Sequence, residues 1–154
     1  IGQSEATVLE KTGAYATISN DGIWNKPHAI NRILDGSDCK DSKDRNSCRQ
    51  IYTYEDDQET YHDAIAQDVT DQLTEMLQVA VEEGTGKAAY IDQGEAGKTG
   101  TTDQNVDLWF IGYFQERDFV TGIWLGNDDN SPTNGSSYQA ASLWGKYMKH
   151  IVAN

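Results

Sequence analysis

The stretch Ala96-Gly97-Lys98-Thr99-Gly100-Thr101-Thr102 sets one lysine and three hydroxyls among small residues. That combination meets part of what acyl transfer to an activated serine requires. The nucleophile needs a base, and the tetrahedral intermediate needs two donors aimed at its oxyanion. A substrate that ends in a carboxylate also needs a cation and hydroxyls to hold it. Read as a strand, the stretch sends the side-chain positions of Lys98 and Gly100 to one face and those of Thr99 and Thr101 to the other. Gly100 leaves room for a substrate backbone to approach closely. A free strand N–H near Thr101 would serve as one oxyanion donor. The catalytic candidates are Lys98 and Thr101, and the substrate-contacting candidates are Lys98, Thr99, Gly100 and Thr101.

K-T-G is one of three short motifs that occur together in serine acyl-transfer enzymes, the others being S-x-x-K and S-D-N, an S-x-N pattern. One S-x-x-K occurs, Ser37-Asp38-Cys39-Lys40. It lies in a polar loop with no apolar helix behind it, so it reads as a decoy. No S-x-N occurs anywhere in the chain. The chain opens at Ile1 rather than at Met, so the expectation is that upstream sequence is missing.

The 154 residues suffice for one domain with a core, and four Trp and eight Tyr offset a hydrophobic content of 37%. Twelve basic and 25 acidic residues leave a net charge of −13. That argues against a nucleic-acid partner, whose phosphates require Lys and Arg, and against a polybasic contact with anionic lipid. No apolar run approaches the roughly 20 residues of a spanning helix. Any membrane attachment would come through an N-terminal anchor outside the chain. His28, His62 and His150 complete no zinc spacing, the acidic loop lacks the calcium-loop pattern, and no cofactor is implied. Cys39 and Cys48 bound a polar stretch with little to bury, so a disulfide between them is expected. It would stabilise the fold by about 2–3 kcal/mol on the loop-entropy model and implies an oxidising, extracytoplasmic compartment.

The elements that would position these residues follow in order. Thr7 and Glu10 form a capping box for a helix with Val8, Thr12, Tyr15 and Ile18 on one face, ended by Asn20-Asp21-Gly22. Two short strands, His28–Leu34 and Arg49–Tyr54, flank the cysteine loop as a hairpin stapled at its base. A long helix, Asp63–Glu83, aligns Ile65, Val69, Leu73, Met76, Ala80 and Val81, with Met76 as core filler. Gly84-Thr85-Gly86 leads on to the triplet strand. Strands Leu108–Phe114 and Phe119–Leu125, joined by Gln115-Glu116-Arg117-Asp118, complete an antiparallel sheet of at least three strands. A loop at Asn127–Gly135 precedes a last helix, Tyr138–Ile151, that packs Ala141, Trp144, Met148 and Ile151 on the sheet. The fold class is α/β of the α+β type, a single unit with helices covering the sheet.

Several ordered segments resemble the transpeptidase domain of class A penicillin-binding proteins. Ser4-Glu5-Ala6-Thr7-Val8-Leu9-Glu10 with Ala14-Tyr15-Ala16 is similar to S-E-V-T-x-L-E…A-Y-A. Asn20-Asp21-Gly22 and Lys26-Pro27-His28 resemble N-G-G…K-P, and Gly84-Thr85-Gly86-Lys87-Ala88-Ala89 resembles G-T-G-x-A-A. Asp107-Leu108-Trp109-Phe110-Ile111-Gly112-Tyr113 is similar to D-x-W-F-x-G-Y, and Trp124-Leu125-Gly126-Asn127-Asp128-Asp129 to W-x-G-x-D-D. Ala140-Ala141-Ser142-Leu143-Trp144 is similar to A-A-P-I-W, with Ser142 in place of proline. The cysteine loop has no counterpart and reads as an insertion.

The resemblance implies residues 1–154 are the C-terminal portion of a domain of the serine β-lactamase/transpeptidase-like fold. The glycosyltransferase domain and both serine motifs would lie elsewhere. It implies that Lys98 tunes proton transfer around the serine and that Thr99 and Thr101 bind the terminal carboxylate of a stem peptide or a β-lactam. The Thr101 N–H would be half of the oxyanion hole, with Trp109 and Phe110 packing the sheet. Peptidoglycan stem peptides and β-lactams are then the parent's partners, while the chain alone would be inactive. Exposed faces of half a domain would call for a dimer or a partner fragment. Two other readings stand: a binding or scaffold module that kept the sheet and lost the chemistry, and a serine β-lactamase fragment.

Overall fold

The computed structural model describes residues 5–56, 61–115 and 117–153, so Ser4 and Glu116 of the segments above lie outside the described residues. The chain forms two compact units, residues 1–24 with 63–154 and residues 25–62, where the sequence implied one. In chain order the elements are α1 (Val8–Ser19), β1 (Ile23–Asn25), β2 (Arg32–Cys39), β3 (Cys48–Thr53), β4 (Tyr61–Asp63), α2 (Gln67–Glu82), β5 (Glu95–Thr101), β6 (Leu108–Phe114), β7 (Arg117–Leu125) and α3 (Ser137–Val152). The short strands β1 and β4 form a two-stranded sheet.

The larger unit is built on an antiparallel sheet of order β5-β6-β7. Lys98 faces Ile111, Thr99 faces Phe110, Gly100 faces Trp109 and Thr101 faces Leu108. Directly paired residues share a face, so the register assigns the layers. Phe110 and Phe114 meet Trp144 of α3 at ring-centroid distances of 5.3 and 5.7 Å. Trp144 is fully buried and its indole N–H donates to the Thr121 carbonyl at 3.0 Å. On the opposite face α1 covers Gly122, where an added Cβ would stand 2.2 Å from the Thr12 hydroxyl. Glycine is therefore what lets helix and strand approach at that point.

Local signals set both outer helices. Thr7 and Glu10 form the capping box on α1, and Asp21 and Gly22 take positive φ of 53° and 87° to end it. Ser136 with Gln139 caps α3, which buries Ala140, Ala141, Trp144, Gly145 and Met148.

The middle helix differs from expectation. α2 begins at Gln67 rather than Asp63, because Ala64 and Ile65 donate backbone N–H bonds to the Gly22 carbonyl at 2.9 and 3.1 Å and Asp63 is held in β4. Its buried residues are Thr70, Thr74 and Val81. Val69 and Met76 are 45% and 68% exposed, so Met76 is not core filler. The Thr74 hydroxyl is bonded to the Tyr113 hydroxyl at 2.7 Å, so the face that meets the sheet mixes threonine with Val81.

The smaller unit is the expected hairpin with shifted bounds. His28 stacks on Tyr54 at 3.5 Å between ring centroids and its Nε2 bonds Asn31 at 2.7 Å. This local arrangement delays β2 until Arg32. Cys39 pairs with Cys48 at the turn end of the ladder, and the two form the disulfide. Arg49 bridges Asp35 at 2.6 Å and Asp38 at 3.0 Å. The Ser37 hydroxyl, with Arg49 beside it, holds the Asp35 carboxyl below its ordinary pKa.

Candidate active site

β5 carries the four candidate residues and is an edge strand of its sheet. Two devices fix its start. Glu95 is 2% exposed, and its carboxylate accepts the backbone N–H groups of Ile91, Asp92 and Gln93. The turn that these bonds close includes Asp92 and Gly94 at positive φ, 62° and 70°. Further along, Gly97 lets the strand lie against β6, since a Cβ there would come within 2.6 Å of the Phe110 ring. Nothing in the sequence pattern singles out Glu95, although a carboxylate at the start of a buried strand is itself an anomaly that asks for partners.

At the far end, Asp107 fastens the connection between β5 and β6. Its Oδ1 accepts the Trp124 indole N–H at 2.8 Å and its Oδ2 accepts the Thr102 hydroxyl at 3.1 Å. The backbone closes the same loop in both directions, Asp107 N–H to the Thr102 hydroxyl at 2.8 Å and Thr102 N–H to the Asp107 carbonyl at 3.1 Å. Trp124 sits 6.3 Å from Trp109, and the Lys11 ammonium lies 4.2 Å from the Trp109 ring centroid, a cation–π arrangement. Trp109 and Phe110 are both buried in the sheet.

Between these anchors, the triplet does not keep to the two faces that strand alternation assigns. Lys98 and Thr99 leave the backbone on opposite sides, yet the Lys98 ammonium donates to the Thr99 hydroxyl at 3.2 Å and the Thr99 carbonyl at 3.1 Å. An edge strand makes this possible, because a long side chain can curl round an edge that no neighbouring strand occupies. The third acceptor is the Thr85 hydroxyl, 3.2 Å from the ammonium and 2.6 Å from the Thr99 hydroxyl. Thr99 is 5% exposed, whereas Thr101 is exposed and Lys98 half-buried. The structure thus gathers Lys98, Thr99 and Thr85 into one cluster and leaves Thr101 open at the strand's end. Thr85 was not among the residues singled out by sequence, although Gly84-Thr85-Gly86 was.

Ser37 and Lys40 belong to the smaller unit. Ser37 is on β2 rather than at the start of a helix, and its hydroxyl donates to Asp35 Oδ1 at 2.6 Å. Among the described residues no group of three His, Cys, Asp or Glu is placed to hold a metal ion, and no helix is long and apolar enough to cross a membrane.

The family model of the penicillin binding protein transpeptidase domain matches residues 1–149. The chain is 31% identical to penicillin-binding protein 1A of Aquifex aeolicus, over 99% of this chain and 19% of that protein. It is equally 31% identical to penicillin-binding protein 1B of Vibrio cholerae, over 99% of this chain and 18% of the relative. It therefore spans under a fifth of the length of these relatives. Among solved structures, penicillin-binding protein 1A from Haemophilus influenzae superposes with a TM-score of 0.74 at 20% identity, covering 99% of this chain and 27% of that one. The D,D-transpeptidase domain of a peptidoglycan glycosyltransferase from Eggerthella lenta gives 0.64 at 24% identity, covering 96% and 33%. These two share the fold.

Proposed function

The chain belongs to the penicillin-binding protein transpeptidase domain family, and on that premise we propose that it is the C-terminal part of a serine D,D-transpeptidase. The parent enzyme cross-links peptidoglycan stem peptides by acyl transfer and is acylated by β-lactams. The carrying observation is the family match over residues 1–149 together with an edge strand that presents Lys98 and Thr101 at its rim. In this reading Lys98 supplies the cation beside the serine's proton transfer, and Thr101 with Thr99 grips the terminal carboxylate. Gly100 admits the substrate backbone, and the Thr101 N–H is half of the oxyanion hole. Thr99 is buried and its hydroxyl is bonded to Thr85, so it would have to leave that bond to reach a carboxylate, whereas Thr101 stands open.

The Cys39–Cys48 disulfide supports an extracytoplasmic location. Leu9, Met76 and Val79 are exposed apolar residues on α1 and α2, and they support a second body covering these helices: the remainder of the transpeptidase domain or a second copy. No serine in the chain has a lysine base assigned to it in this reading. The test is a fluorescent penicillin offered to the chain and to a longer protein carrying an upstream S-x-x-K. Labelling of the longer protein alone is expected. A longer protein that takes no label overturns the transpeptidase reading, and stoichiometric labelling of the chain at Ser37 or another serine overturns its inactivity.

A further inference from the structure

We infer that Thr85 is a positioning residue for Lys98. The functional meaning rests on the transpeptidase reading, while the geometry stands apart from it. A lysine ammonium has three donors on a flexible four-carbon stem, so its direction is set by whatever accepts from it. Here the acceptors are the Thr99 carbonyl, the Thr99 hydroxyl and the Thr85 hydroxyl. The first two belong to the next residue on the same strand and can do no more than hold the ammonium near β5. Thr85 is the acceptor that comes from outside the strand, and it also bonds the Thr99 hydroxyl. It therefore closes a three-membered cluster and selects the rotamer in which Lys98 curls round the edge.

The backbone around Thr85 is shaped for this contact. The Gly86 N–H donates to the Ala80 carbonyl at 2.9 Å, seating the loop on the last turn of α2. A Cβ at Gly84 would stand 2.8 Å from the Ala80 carbonyl oxygen, and one at Gly86 would stand 3.0 Å from the same atom. Both flanking positions thus press against helix backbone, which cannot yield as a side chain could. The loop is pinned at a fixed height above β5, and Thr85 is the residue between the two pins. Val81, buried in the core on the same turn, ties that height to the packing of the whole unit. Fixing a reacting cation to within a fraction of an ångström is a contribution to rate that substrate affinity does not reveal.

The experiment compares Thr85→Val, which keeps the shape and removes the hydroxyl, with Thr85→Ser, which restores it. Nitrogen-edited NMR on the full chain reads water exchange of the Lys98 ammonium protons. Exchange is expected to speed up about tenfold in Thr85→Val and to stay within about twofold of wild type in Thr85→Ser. Should Thr85→Val lose the native amide spectrum, Thr85→Ala reads the same quantity with less bulk. In a longer protein bearing the serine, Thr85→Val is expected to slow the penicillin acylation step about tenfold with little change in half-saturation, and Thr85→Ser to rescue it. Unchanged ammonium exchange without the hydroxyl, or a serine variant that behaves like the valine, overturns the inference. A wild-type longer protein that takes no penicillin defeats the transpeptidase reading alone, because the ammonium measurement decides Thr85 without acylation.

Discussion

Removing the Asp107 carboxylate should loosen the exit of the triplet strand at a cost that the structure allows to be estimated. Asp107→Ala deletes two hydrogen bonds to a charged acceptor, from the Trp124 indole at 2.8 Å and the Thr102 hydroxyl at 3.1 Å. Bonds to charged groups contribute roughly 1.5–3 kcal/mol each when buried. Asp107 and Trp124 are half-buried, so water recovers part of the loss and a total of about 2–3 kcal/mol is the reasoned value. For a chain of this size that corresponds to a fall in Tm of about 5–10 °C. Asp107→Asn keeps an oxygen for the indole and lets its amide donate to the Thr102 hydroxyl oxygen, so it loses the charge but not the pairing and should cost about half as much. Urea unfolding followed by tryptophan fluorescence measures both. A double-mutant cycle with Trp124→Phe should return a coupling of about 1–2 kcal/mol. An Asp107→Ala chain that unfolds within about 0.5 kcal/mol of wild type, or a coupling of zero, would rule out Asp107 as the fastening of this loop.

Two further expectations follow from other parts of the fold. Burial, with Tyr113 nearby, pushes the Tyr15 phenol up to about 12 from 10.0. The unfolded chain therefore gives up this proton near pH 10 while the folded chain keeps it. Stability should fall between about pH 10 and 12 by a total of about 2–3 kcal/mol, and Tyr15→Phe should flatten that slope in urea titrations; an unaltered slope would count against Tyr15 as the source. Reducing the Cys39–Cys48 disulfide should add two hydrogens to the intact mass. It should also raise amide exchange in β2 and β3 while leaving β5, β6 and β7 protected, and loss of protection in both sets would contradict a local effect of the bridge.

Much of this protein is legible along the chain because the governing forces are local. A capping box needs only four consecutive residues, so Thr7 and Glu10 announce α1 without help from the rest of the fold. The apolar spacing of α3 and the aromatic strands β6 and β7 are legible for the same reason, and Cys39 and Cys48 stand close enough in sequence to declare their bridge. The triplet, with the ordered segments around it, also marks the family.

What tertiary structure decided is which side of each element faces inward and where a long side chain ends. α2 carries an apolar stripe, yet Thr70 and Thr74 are buried with Val81 while Met76 is exposed, and the Thr74 hydroxyl is paired with that of Tyr113. Strand alternation parts Lys98 from Thr99, and the edge position of β5 lets the ammonium return to it. Thr85, Glu95 and Asp107 acquire their roles from partners that folding brings to them. Periodicity reports the direction of a Cβ, whereas the destination of an ammonium or a carboxylate depends on donors and acceptors that only the folded chain brings within reach.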